Sequence, residues 1–114
     1  MKNVLLLSLV ILFFACEKLD DPNILISPVA LEATHLTSNS FVANWTRSPG
    51  AGIYRIQVAI NMDFTKIIKT VNLHIGTAFG IDGLNNNTEY FYRVRVSEGE
   101  FTSKYSNIIS VKLL

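Results

Sequence analysis

Few side chains in the 114-residue sequence are of the kinds that make or break bonds: one cysteine at position 16, histidines at 35 and 74, and nine carboxylates scattered from Glu17 to Glu100. A hydrolytic triad needs a nucleophile on a sharp turn with a base in reach, and neither histidine sits in such a context. Structural zinc or calcium needs several converging His, Cys or carboxylate ligands, and no such spacing occurs. No glycine-rich strand-turn-helix is present to cradle phosphate. Catalysis, metals and cofactors are therefore not expected, and His35 and His74 read as solvated loop residues. Asn44-Trp45-Thr46 and Asn86-Asn87-Thr88 match the glycosylation triplet, a pattern short enough to arise by coincidence.

The cysteine acquires meaning from its position. Met1-Lys2-Asn3 gives a short positive start, and Val4 to Ala15 an apolar run whose only polar side chain is Ser8. That layout is a secretory signal, and the run falls short of the roughly 20 residues needed to span a bilayer. Phe13-Phe14-Ala15-Cys16 resembles the lipobox of bacterial lipoproteins, although Phe13 and Phe14 depart from the commoner residues there. The resemblance implies cleavage after Ala15 and lipid attachment at Cys16. Acyl chains contribute about 0.8 kcal/mol per buried methylene, so two or three would hold the protein on a membrane leaflet. The following Glu17-Lys18-Leu19-Asp20-Asp21 looks like the surface-export signal of some Gram-negative lipoproteins. These features predict attachment to the bacterial outer membrane and exposure at the cell surface.

Loss of residues 1–15 leaves nine basic against nine acidic side chains, a balance that offers no electrostatic case for nucleic acid. Residues 16–27 then form a lipidated cysteine and flexible tether. Its stretch from Glu17 to Ser27 is polar, holds Pro22, and spans about 36 Å at most when extended. Residues 28–114 form one domain.

In that domain short alternating apolar runs are broken by Gly, Asn, Asp and Ser, with no helical stripe, so the expected class is all-β. Strands are predicted around Ala30–Ala33, Phe41–Thr46, Ile53–Ile60, Ile67–Thr70, Thr77–Ile81, Tyr90–Ser97 and Ser106–Leu113. Side chains two apart share a face, so Phe41, Ala43 and Trp45 point inward together, as do Tyr54, Ile56 and Val58. The clearest alternation sets Tyr90, Tyr92, Val94 and Val96 against Phe91, Arg93, Arg95 and Ser97. Seven strands in this length fit an immunoglobulin-like sandwich.

Pro28, Leu31, Trp45, Tyr54, Leu84, Thr88, Tyr90, Arg93 and Val94 fall at spacings that resemble the fibronectin type III family. The run from Gly83 to Val96 is the most specific part, and Tyr105-Ser106-Asn107 also fits bacterial members. The resemblance implies a seven-stranded sandwich, with Trp45 as the core tryptophan of the second strand. It also implies that Tyr90 is a tyrosine corner whose hydroxyl bonds backbone near Leu84. Asn86 stands where the family often has proline, which implies a less rigid turn. No Arg-Gly-Asp occurs between Glu98 and Lys104, so integrin binding is not implied.

If the third, sixth and seventh strands share a sheet as in that family, Arg55, Arg93, Arg95 and Lys112 share its outer face with Gln57 and Phe91. Those arginines, with Phe91 and Phe101, are the candidate patch for a protein or glycan partner. The expected role is a non-catalytic, membrane-anchored module for such interaction or for spacing. The rival roles are a carbohydrate-binding accessory of a glycan-uptake system, which would use Phe91 and Phe101, and a structural subunit of an outer-membrane complex. The loops Arg47–Gly52 and Glu98–Lys104 are predicted to lie at the pole where the tether enters.

Overall fold

Period-two alternation in runs of four to ten residues can bury only one side of each strand, so two sheets must face one another. The computed structural model describes residues 25–114. The predicted signal segment, Cys16 and the tether up to residue 24 lie outside the described residues. Eight strands follow in order: β1 Ala30–Thr34, β2 Phe41–Trp45, β3 Ile53–Ala59, β4 Ile67–Leu73, β5 Ala78–Ile81, β6 Glu89–Glu98, β7 Phe101–Thr102 and β8 Ile109–Lys112. The smaller sheet runs β1-β2-β5. The larger runs β4-β3-β6, with β7 and β8 both pairing with β6. The all-β sandwich is as expected.

The core is formed where the inward residues of both sheets meet. Phe41, Ala43 and Trp45 from β2 face Tyr54, Ile56 and Val58 from β3 and Tyr90, Tyr92, Val94 and Val96 from β6, all buried. Phe41 stacks on Tyr92 with ring centroids 5.6 Å apart, and Trp45 tilts against Tyr54 at 5.8 Å. The indole N–H of Trp45 is the one buried side-chain polar atom without a partner among the described residues.

Three strands differ from their sequence expectation. The last strand, expected from Ser106 to Leu113, is confined to β8, and the two-residue β7 forms within Glu98–Lys104, expected as a loop, which makes the count eight. Between them two serine side chains do the work of backbone carbonyls: Ser103 Oγ accepts from Val96 N at 3.0 Å and Ser106 Oγ from Val94 N at 2.9 Å. β4, expected to stop at Thr70, continues to Leu73, because Val71 and Leu73 pack on the core from the edge. In β1 a bulge between Leu31 and Thr34 breaks the alternation, so Ala30 and Ala33, three residues apart, both turn to the core while Leu31 faces solvent.

That bulge is stabilised from the opposite sheet. The Tyr92 hydroxyl, on a fully buried side chain, crosses the core, donates to Leu31 O and accepts from Asn44 N at 3.3 Å. Burial pushes the Tyr92 phenol above its usual range; the Asn44 bond opposes the shift and nearby Glu32 adds to it. Where the two sheets meet at their edge, Asn107 closes the seam. Its side chain accepts from Ala30 N at 2.8 Å and donates to Ala30 O at 3.0 Å.

Candidate functional site

The outer face of the larger sheet concentrates the positive charge of the domain. Because Arg55, Gln57, Arg93 and Arg95 alternate with core residues, pairing of β3 with β6 sets Arg55 opposite Arg95 and Gln57 opposite Arg93. Like charges directly opposite repel, and the two guanidinium groups turn apart. Arg55 Nε donates to Asn72 Oδ1 on β4 at 3.1 Å, while Arg95 leans over the Tyr105 ring at 4.7 Å.

Arg93 is the most constrained of the three. Its Nε and an Nη both donate to Gln57 Oε1, at 3.1 and 2.8 Å, and its guanidinium lies 4.2 Å from the centre of the Phe64 ring and 4.0 Å from that of Tyr105. Every brace on these three cations is neutral. Among the described residues none of them lies within ion-pair distance of a carboxylate, and the ion pair present joins Lys69 to Asp82. Guanidinium groups held on aromatic faces keep their charge and lose rotamer freedom before any partner arrives. Such a face is preorganised to meet carboxylate or another planar anion bidentately.

Phe64, absent from the sequence expectation, underlies this arrangement. It sits in the β3–β4 turn with φ +57°, an unusual conformation for a bulky residue. The turn is held around it by Phe64 N donating to Asn61 O and by Lys66 N donating to Asn61 Oδ1. This backbone carries the ring back onto the outer face, where it forms a second small core with Ala59 and Phe91. Phe91 is consequently 7% exposed. Its placement among ligand-contacting aromatics is corrected: it packs under Phe64 and is not offered to a sugar. Phe101 is 46% exposed, in β7 next to the β6–β7 turn, where it pairs with Glu98 and not with the arginine positions. Lys112 is exposed at the far end of β8.

The three residues given structural roles lie in the core. Trp45 and Leu84 are buried, and Tyr90 accepts from Asn85 N at 2.8 Å, one residue beyond Leu84. Tyr105-Ser106-Asn107 divides three tasks: the ring braces Arg93 and Arg95, the hydroxyl pairs with β6, and the amide closes the seam at Ala30.

A concavity of about 470 Å³ lies at one pole, lined by Arg47, Ser48, Tyr54, His74 and Ile75 among others. The chain enters at this pole: Ser48 Oγ donates to Ile26 O, and Ser27 Oγ to Lys104 O at 2.9 Å. The loops after β2 and β6 and the tether thus share one end. His35, with φ +53°, follows β1 at the opposite pole, so the two histidines are far apart. No group of three His, Cys, Asp or Glu that could hold a metal occurs among the described residues.

Residues 27–112 match the sequence profile of the fibronectin type III domain. Among solved structures, the FN5 domain of Drosophila Lar superposes with a TM-score of 0.64 at 22% identity, over 79% of this chain and 97% of that one. The human fibronectin type III domain containing protein 3 has a domain that superposes at 0.65 and 16% identity, over 79% and 86%. At such identities the likeness is one of fold. No curated protein matches the chain.

Proposed function

The chain belongs to the fibronectin type III family, and we propose on that premise that it is a lipid-anchored module of the outer membrane that docks an anionic partner on its arginine face. A fibronectin type III module is a binding or spacer domain. Carbohydrate accessory work through aromatic stacking is disfavoured, since Phe91 is buried. The observation that carries the reading is the set of three preorganised guanidinium groups without a carboxylate partner among the described residues.

Orientation supports the same role. Cys16 precedes Leu25 by nine residues, a reach of about 30 Å when extended, and the chain enters at a pole. The strands run from pole to pole, so the arginine face lies on the flank of the sandwich, away from the end at which the chain enters, where a partner has access to it. Carboxylates of a protein or of an acidic glycan fit its chemistry.

Two measurements test the two halves separately. Intact-mass analysis of membrane-extracted protein is expected to show a diacylglyceryl adduct on Cys16, and an unmodified thiol would sink the anchor. Retention on immobilised polyglutamate is expected for the wild type and lost in Arg93→Gln/Arg95→Gln. Equal retention of the two would sink the docking face.

A further inference from the structure

The outward side chains along β6 run Glu89, Phe91, Arg93, Arg95 and Ser97. Phe91, packed with Phe64, separates Glu89 from the arginines, and the Glu89 carboxylate accepts from Ser110 Oγ on β8 at 2.8 Å. The anion-binding part of the row is therefore the pair Arg93 and Arg95, closed at one end by the two phenylalanines.

Each member of the pair keeps donors free. Arg93 spends Nε and one N–H of an Nη on Gln57 Oε1, which leaves the edge formed by its two Nη groups without an acceptor among the described residues. Arg95 is held by the Tyr105 ring and by no hydrogen-bond acceptor among the described residues. Both guanidinium groups are tied to that one ring, 4.0 and 4.7 Å from its centre, so neither is free to swing away from its strand position. Residues two apart on a strand stand about 6.8 Å apart and face the same way.

That spacing selects a partner. Two carboxylates two residues apart on an extended chain repeat it, whereas adjacent acids point to opposite sides and acids four apart on a helix stand closer, about 5–6 Å between Cβ atoms. On this face no ring is left to stack on a sugar, since Phe64 and Phe91 are buried and Tyr105 carries both guanidinium groups. We infer, resting on the docking role proposed above, that the partner is an extended protein segment with acidic residues at alternate positions. It lies along β6 with one carboxylate on Arg93 and the next on Arg95.

Three end-blocked heptapeptides of one composition, two glutamates among threonines, separate the spacings: glutamates adjacent, two apart or four apart. Each is titrated at low salt into the full chain in detergent, and the chemical shifts of the arginine Nε–H groups are followed. The peptide with glutamates two apart is expected to bind about tenfold more tightly than the others, because it alone engages both arginines. In Arg95→Gln the three are expected to bind alike. Equal affinities in the wild type, a preference for another spacing, or tighter binding of digalacturonate would overturn the inference and leave the docking face in place. Binding by none of the three would overturn it as well, and polyglutamate retention of the same sample then shows whether the docking face falls with it.

Discussion

The two outer faces of the sandwich are built on the same alternation yet differ in almost every property. On the larger sheet Arg55, Gln57, Arg93 and Arg95 are each held by a neighbour, and Phe64, Phe91 and Tyr105 supply a second layer of packing. On the smaller sheet cross-strand pairing places Leu31, Asn44 and Ala78 in one outward row and Thr34, Val42 and Gly80 in another. Neither row carries a charge, and a Cβ added at Gly80 would meet nothing within 4 Å. Asn44 alone organises that face, its amide donating to Glu32 O, Thr34 Oγ1 and Val42 O. A sandwich closes its main core with its inner faces alone; the layer on the larger sheet is a second, smaller core that adds stability and also holds the cations still.

Removing that layer has the largest expected effect. Phe64→Ala opens the Ala59–Phe91 cluster and takes one ring from Arg93, with a loss of about 3 kcal/mol in denaturant unfolding. Next comes Tyr92→Phe, which leaves Leu31 O and Asn44 N at the β1 bulge without the hydroxyl and costs about 1–2 kcal/mol. The same variant has a pH signature. Because burial raises the folded-state phenol, wild-type stability holds below the ordinary tyrosine range and falls as pH rises through it, since the unfolded chain ionises first. Tyr92→Phe is expected to lose its share of that alkaline fall, as measured by melting temperature across the pH range.

A smaller effect belongs to Tyr105→Ala, which removes the platform shared by Arg93 and Arg95 and costs about 1 kcal/mol. Its more telling consequence is weaker polyglutamate binding with all three arginines still present. Ala78→Lys on the bare face is expected to change stability by no more than about 0.5 kcal/mol and to leave binding at the arginine face unaltered.

The inner half of this molecule was legible because strand alternation reports which residues share a buried face. Trp45, Tyr54 and Tyr90 could be placed from spacing and from resemblance to the fibronectin type III pattern. The outer half was legible only in position. Arg55, Arg93 and Arg95 could be assigned to one face, but their bracing depends on Phe64, which reaches that face through a positive φ that no periodicity encodes. Phe91 departs from its expectation for the same reason: its strand position says outward, and a turn residue 27 positions earlier covers it. The short β7 and the late start of β8 are not legible either, because Ser103 and Ser106 pair with β6 through both backbone N–H and side-chain Oγ, while the alternation of Ile109, Val111 and Leu113 is that of an ordinary strand.

The central claim is that rigidly held, unneutralised guanidinium groups make the larger sheet's outer face an anion-docking surface. Titration calorimetry of polyglutamate against wild type, Arg93→Lys and Lys112→Gln over a salt series tests it most directly. Lysine keeps the charge at position 93 but can neither fork onto Gln57 nor stack between Phe64 and Tyr105. The account predicts salt-sensitive binding by the wild type, about tenfold weaker binding by Arg93→Lys, and no loss in Lys112→Gln. Equal affinity of wild type and Arg93→Lys would contradict it, because charge alone, without the brace, would then suffice.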